Sequence, residues 1–170
     1  EDKTYDELMQ ETVDNGSNIE NYAALKMCTL EEYLGICIQY DMVPVIELKS
    51  ENNTEYYNEI VAMLAAYPQL EPVFISFHYE TLTAMRALTD APCWYLVQEI
   101  TDEDIEMALA IGGSCGIDFN YSKEENTDEV ITKCVESGLT VGAWTVNEPE
   151  AVDRLAALGV EYITTDNITY

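Results

Sequence analysis

The stretch Val43-Pro44-Val45-Ile46-Glu47-Leu48-Lys49 decides the fold. It is a short apolar run, rich in β-branched residues, that ends in a carboxylate and an ammonium group. Near-continuous apolar runs of this length are typical of parallel strands that are buried on both faces. Five similar runs follow at intervals of 20 to 30 residues. They are Val73–Phe77, Cys93–Val97, Cys115–Phe119, Thr140–Val146 and Glu161–Thr165.

Segments with helix start and stop signals alternate with these runs. Thr29-Leu30-Glu31-Glu32 begins like a capping box and predicts a helix through Ile38. Other helices are predicted from Thr54 to Tyr67, from Thr101 to Ile111, from Thr127 to Ser137, and from Pro149 to the stop at Gly159. Strands that alternate with helices give a parallel sheet with right-handed crossovers.

The number of units indicates a partial barrel. A (β/α)₈ TIM barrel typically takes about 250 residues, whereas this chain has 170. We therefore predict an α/β fold, a partial (β/α)₈ barrel of about six βα units with the first two missing. We expect residues 1–170 to form a single domain. Within it, 1–28 would be an irregular segment with a short helix near 4–11, and 29–170 would hold the βα repeats.

The charge of the chain excludes two classes of partner. Seven basic residues face 33 acidic ones, and the formal net charge is −26. A nucleic-acid-binding protein needs a Lys/Arg footprint, and an anionic membrane surface would repel this chain. No apolar run approaches the roughly 20 residues of a membrane span. Five cysteines without C-x-x-C spacing suggest neither a disulfide framework nor a zinc site, so we expect a cytoplasmic location.

Glu47 and Lys49 are the leading candidates for a functional site. Function in parallel βα folds collects at the carboxyl ends of strands, and residues two apart in a strand point the same way. A carboxylate and an ammonium at a barrel mouth could hold a divalent cation and a phosphate ester together. The alternative is a purely structural ion pair.

Other polar or aromatic residues follow the remaining strands. Trp144 either walls a site or fills the core. His78, the only histidine, together with Gln98 and Asn147, is a further pocket candidate. Each of these three is also an ordinary polar residue at the exit from a strand.

Five blocks in order resemble the glycerophosphodiester phosphodiesterase family, of whose domain the chain would be the C-terminal two-thirds. They are Thr29–Glu32, Val45–Lys49, Ile75–Phe77, Gly142–Asn147 and Gly159–Asp166. The resemblance implies a barrel with Ca²⁺ or Mg²⁺ that hydrolyses glycerophosphodiesters to glycerol 3-phosphate and an alcohol. By the same resemblance, Glu47 is a metal ligand, Lys49 faces the phosphate and Trp144 lines the substrate site.

The rest of the family's catalytic set has no counterpart here. Its His-Arg-Gly segment, its Glu/Asp pair and its His-Asp segment would lie before residue 1. His78 stands where the family has Asp, so no catalytic residue is assigned. We expect a metal-dependent phosphodiester hydrolase present as a fragment, with little activity alone. The alternatives are a non-catalytic glycerophosphoryl-binding module and an α/β interaction domain that a partner completes. Open sheet edges would also permit self-association.

Overall fold

The computed structural model describes residues 3–16, 19–50 and 53–167, and the chain divides into two compact units, Glu1–Met42 and Val43–Tyr170. The first unit contains α1 (Tyr5–Leu8), a 3₁₀ turn and α2 (Leu30–Gln39). The capping box predicted at Thr29 is present, because its hydroxyl accepts from the Glu32 N–H and the Glu32 carboxylate accepts in return. The single domain over residues 1–170 stays a prediction.

The described part of the second unit contains one sheet of six parallel strands. They are β1 (Val45–Glu47), β2 (Val73–Ser76), β3 (Cys93–Val97), β4 (Cys115–Asn120), β5 (Thr140–Trp144) and β6 (Tyr162–Ile163). Their order in the sheet is their order in the chain, and every neighbouring pair is parallel. The curled sheet confirms the prediction of a partial (β/α)₈ barrel.

A helix follows each of the first five strands. They are α3 (Thr54–Leu64), α4 (Tyr79–Arg86), α5 (Asp102–Ile111), α6 (Asp128–Glu136) and α7 (Pro149–Ala157). Thr101 and Thr127 cap their helices as predicted. The cap of α3 differs from the prediction. The Asn53 side chain, one residue before Thr54, accepts from the Tyr56 N–H. Across the described residues, no helix combines the length and apolar character that a bilayer span requires.

The two faces of the sheet have different roles. Ile117, Phe119 and Val141 point outward and join the apolar core with helix residues such as Ile131 and Leu155. The opposite, inner face carries the residues that alternate with these along each strand. At the amino-terminal ends of the strands, side chains on the inner face fill the interior, where the Trp94 and Tyr162 rings are 4.5 Å apart. The strands β2 to β5 read as continuous apolar runs because both of their faces are largely covered, whereas β1 and β6 at the edges are buried less.

Candidate functional site

A cavity of about 330 Å³ lies at the carboxyl edge of the sheet. Its volume falls in the range of small-molecule sites. Residues from all six strands, or from the positions just after them, contribute to its wall. The lining residues are Glu47, Lys49, Ile75, Phe77, Leu96, Asp118, Trp144, Thr145 and Thr164. The cavity therefore stands where parallel βα folds place their functional groups.

A second hollow is larger but is a poorer candidate. It has a volume of about 580 Å³ and lies beside the segment after β4. Its two cations already face carboxylates, since Arg154 is 2.8 Å from Asp128 and Lys123 is 3.8 Å from Glu99. The cavity at the carboxyl edge of the sheet gathers groups from every strand, so we take it as the candidate site.

Glu47 and Lys49 lie on the inner face at the end of β1. Ile46 and Leu48, of the opposite parity, are buried on the other face. The Glu47 Oε2 is 3.4 Å from the Lys49 Nζ, and the side chains are 33% and 78% exposed. An ion pair at this exposure contributes at most about 1 kcal/mol. Breaking this ion pair therefore costs little free energy, so the Lys49 ammonium can turn toward an anionic ligand.

Trp144 is a half-buried wall of the cavity. Its ring packs edge to face against Phe77, with the centroids 5.7 Å apart and the planes at 87°. Its indole N–H donates to the main-chain carbonyl of Asp118 at 3.1 Å. Packing on one side and a hydrogen bond on the other fix the ring, so the two aromatic residues present a stable apolar surface to any ligand.

Asp118 is a cavity residue that the sequence analysis did not select. Its residue exposure is only 5%, and its Oδ1 has no hydrogen-bond partner among the described residues. Burial raises the pKa of this carboxyl from 3.8 to about 7. The sequence contains one indication that this carboxyl is buried. Asp118 stands between Ile117 and Phe119 inside an apolar run, and it has the inner-face parity of that strand.

The other pocket candidates lie outside the residues that line the cavity. His78 is the N-cap residue of α4, and its main-chain N–H donates to the Ser76 hydroxyl at 3.1 Å. The Gln98 side chain accepts from the Asn120 amide at 2.7 Å. The Asn147 side chain contacts the segment after β6, where it accepts from the Asp166 N–H at 3.0 Å. The structure thus brings Glu47, Lys49 and Trp144 together and places the other three around them.

The acidic and thiol side chains do not make a complete cation site. Within residues 3–16, 19–50 and 53–167, no group of three His, Cys, Asp or Glu side chains is arranged to hold a metal ion. Ca²⁺ and Mg²⁺ take about six or more oxygen ligands. Glu47 at the mouth of the cavity and the buried Asp118 are the carboxyl groups among its lining residues, and these two donors do not fit either ion by themselves.

Comparisons with known proteins agree on one family. The sequence profile of the glycerophosphoryl diester phosphodiesterase family matches residues 1–170. A glycerophosphodiester phosphodiesterase from Parabacteroides distasonis shares 25% identity and a TM-score of 0.72, with 96% of this chain and 66% of that chain covered. A candidate glycerophosphoryl diester phosphodiesterase from Silicibacter pomeroyi shares 26% identity and a TM-score of 0.77, with 95% and 64% covered.

A third solved structure supports the fold alone. It is a phosphodiesterase from Oleispira antarctica in complex with its product sn-glycerol 3-phosphate, at 23% identity and a TM-score of 0.71, with 80% and 56% covered. No curated protein sequence matches the chain. In each of these three comparisons, the chain spans less than two thirds of the length of the solved relative.

Proposed function

Because the chain belongs to the glycerophosphoryl diester phosphodiesterase family, we propose that its cavity serves the metal-dependent hydrolysis of glycerophosphodiesters to glycerol 3-phosphate and an alcohol. One observation carries the proposal. Glu47, Lys49 and Trp144, the three residues that the family resemblance selects, line one cavity at the carboxyl edge of the sheet. They are separated by up to 97 positions in the sequence, so the fold brings them together.

Each residue has a role that its chemistry supports. The Lys49 ammonium binds the phosphoryl oxygens, since it is exposed and its pairing with Glu47 is weak. Trp144 and Phe77 pack against the carbon skeleton of the ligand. Glu47 is proposed as one ligand of Ca²⁺ or Mg²⁺. The described residues do not supply the remaining ligands of the ion. The roles of Lys49 and Trp144 do not depend on it, because they follow from the contacts of these two side chains.

We expect the 170-residue chain to have little or no hydrolase activity by itself. A positioned general acid or base contributes roughly 10²–10⁴ in rate. The chain has one histidine, His78, and it stands outside the lining of the cavity. The assay is release of glycerol 3-phosphate from glycerophosphocholine, with Ca²⁺ or Mg²⁺ added. Clear metal-dependent turnover by the purified chain would contradict this expectation.

Ligand binding tests the site separately from turnover. We expect sn-glycerol 3-phosphate, the product held by the Oleispira antarctica phosphodiesterase, to bind in a calorimetric titration. Lys49→Met should weaken its binding about threefold to tenfold, because a charge-assisted contact is lost at an exposed position. Lys133→Met is the matched control. Lys133 is also a surface lysine with a carboxylate partner, Asp102, but it lies on α6. Equal losses in both variants, or no binding at all, would count against the proposed site.

Two other functions remain as alternatives, and each has its own test. A non-catalytic glycerophosphoryl-binding module is favoured if the chain binds the phosphate but neither it nor any longer form turns over a diester. An interaction domain completed by a partner is favoured by the sheet edges, since β1 and β6 each pair on one side only within the described residues. A stable oligomer in analytical ultracentrifugation would support that second alternative.

A further inference from the structure

Asp118 is an unusual group for the interior of a parallel sheet. Three buried side-chain polar atoms lack a hydrogen-bond partner within the described residues, namely the Arg86 Nε, the Trp94 Nε1 and the Asp118 Oδ1. Of these residues, Asp118 lines the candidate site. A buried carboxyl that lacks a partner costs free energy unless a ligand supplies the missing hydrogen bond. Its position therefore needs an explanation beyond the stability of the sheet.

The neighbouring strand leaves room for this carboxyl. Gly142 on β5 is the register partner of Asp118 on β4. A Cβ placed on Gly142 would be 2.8 Å from the Asp118 Oδ1 and 3.1 Å from its Cγ. The carboxyl thus occupies space that any other residue at position 142 would take. On the opposite side, Leu96 of β3 is its register partner and offers no hydrogen bond.

The groups that share the cavity decide which ligand atom could approach. Charged side chains among its lining residues, apart from Asp118, are Glu47 and Lys49, and these two face each other. The others are apolar, aromatic or carry the hydroxyl of Thr145 or Thr164. No cation in the described part of the chain is hydrogen-bonded to the carboxyl. Burial accordingly raises its pKa to about 7, so a large fraction keeps its proton near neutral pH.

A carboxyl that exchanges between the neutral and ionised forms suits one kind of partner. In the neutral form it offers one O–H donor and an acceptor, and an alcohol hydroxyl offers the same pair. An anionic phosphoryl group would be repelled by the ionised form, and Lys49 already serves it at the mouth of the cavity. Of the polar groups that a glycerol phosphate carries, a hydroxyl is therefore the one that suits Asp118.

We propose that Asp118 is a specificity-determining residue, whose carboxyl occupies the space left by Gly142 and hydrogen-bonds a hydroxyl of the glycerol part of the ligand. This inference rests on the proposed function, because it takes a glycerol phosphate as the ligand of the cavity. It assigns the glycerol end to the β4–β5 side and the phosphate to the β1 side. The chain should therefore bind a glycerol phosphate more tightly than a phosphate ester without hydroxyl groups.

The test compares two phosphate monoesters on three forms of the 170-residue chain. The unaltered chain should bind sn-glycerol 3-phosphate about tenfold more tightly than n-propyl phosphate, which has the same carbon count without hydroxyls. Asp118→Ala should reduce that ratio to near one and leave the affinity for n-propyl phosphate within about twofold. Asp118→Asn, a neutral donor and acceptor of similar shape, should retain most of the ratio.

Each outcome separates the inference from the proposed function. If the unaltered chain binds both phosphates equally, or if Asp118→Ala keeps the ratio, the inference is wrong and the proposed ligand class stands. If neither phosphate binds to the unaltered chain, the proposed function and the inference both fall. Urea unfolding of each variant verifies that it is folded. Asp118→Asn also serves as the folded reference if Asp118→Ala is unstable.

Discussion

The tight packing of Gly142 on β5 against Asp118 on β4 leads to a stability prediction for Gly142→Ala. The added Cβ would be 2.8 Å from the Asp118 Oδ1 and 3.1 Å from its Cγ. Real Cβ atoms do not approach other heavy atoms this closely, so the carboxyl or the strand must shift. Asp118 is 5% exposed and sits between two strands, so it has little room to rotate away. Overpacking of this kind costs about 1–3 kcal/mol of unfolding free energy.

The assay is urea unfolding followed by tryptophan fluorescence. Both tryptophans of the chain, Trp94 and Trp144, stand in the sheet of the second unit, so the signal reports the unit that carries the change. Gly35→Ala is a control for adding a methyl group without a clash, and because Gly35 lies in the first unit, its unfolding is followed by circular dichroism. A Cβ at Gly35 meets no atom of the described residues within 4 Å, and the position is helical. That substitution should be neutral or stabilising by up to about 1 kcal/mol.

A double mutant identifies the source of the strain. Asp118→Ala removes the atoms that the new Cβ would meet, so Gly142→Ala should cost little in that background. The expected coupling between the two positions is about 1–2 kcal/mol. The reasoning is refuted if Gly142→Ala leaves the unfolding free energy unchanged, or if its cost is the same with Ala at position 118.

Three further predictions concern protonation and capping. The pKa of Asp118 is raised to about 7 from 3.8 in the native state, so the unfolded chain loses its proton first as the pH rises. Unfolding free energy should fall by about 3 kcal/mol between pH 4 and 7 relative to Asp118→Asn, measured by paired urea curves, and parallel curves would contradict this. Burial raises the pKa of Cys93 to about 11 and that of Cys134 to about 12. In native alkylation at pH 8, exposed Cys28 should therefore react well before either, and simultaneous labelling would show that the two thiols are accessible. Thr101→Ala removes a capping box of α5 and should cost about 1 kcal/mol in thermal or urea unfolding, and an unchanged midpoint would show that the cap is redundant.

The strands β2 to β5 could be predicted because burial on both faces leaves a continuous apolar run. Cys93–Val97 was predicted with the bounds that the structure has. The predicted Glu161–Thr165 was too long, since β6 covers Tyr162–Ile163. No helix was predicted at α4, which has only eight residues and begins at Tyr79 without a side-chain cap. The apolar composition of a segment indicates that it is buried. The ends of a strand, however, depend on where the neighbouring strand stops forming hydrogen bonds with it.

The candidate site could be predicted only in part. Glu47 and Lys49 were selected because the period of two in a strand puts both on one face. Asp118 was not selected, since its burial depends on Leu96 and Gly142, which are 22 and 24 residues away along the chain. No local pattern shows that a glycine on the next strand leaves space for a carboxyl. Such a residue becomes visible only when neighbouring strands are in register.

The strand order also bears on how the chain reaches its native state. Within the described residues, each strand pairs only with strands next to it in the sequence, so sheet contacts join segments about one βα unit apart. Short sequence separation between contacting residues favours fast folding. The sheet can therefore grow one unit at a time as the chain leaves the ribosome. Each new strand then covers the edge that its predecessor would otherwise leave open to aggregation.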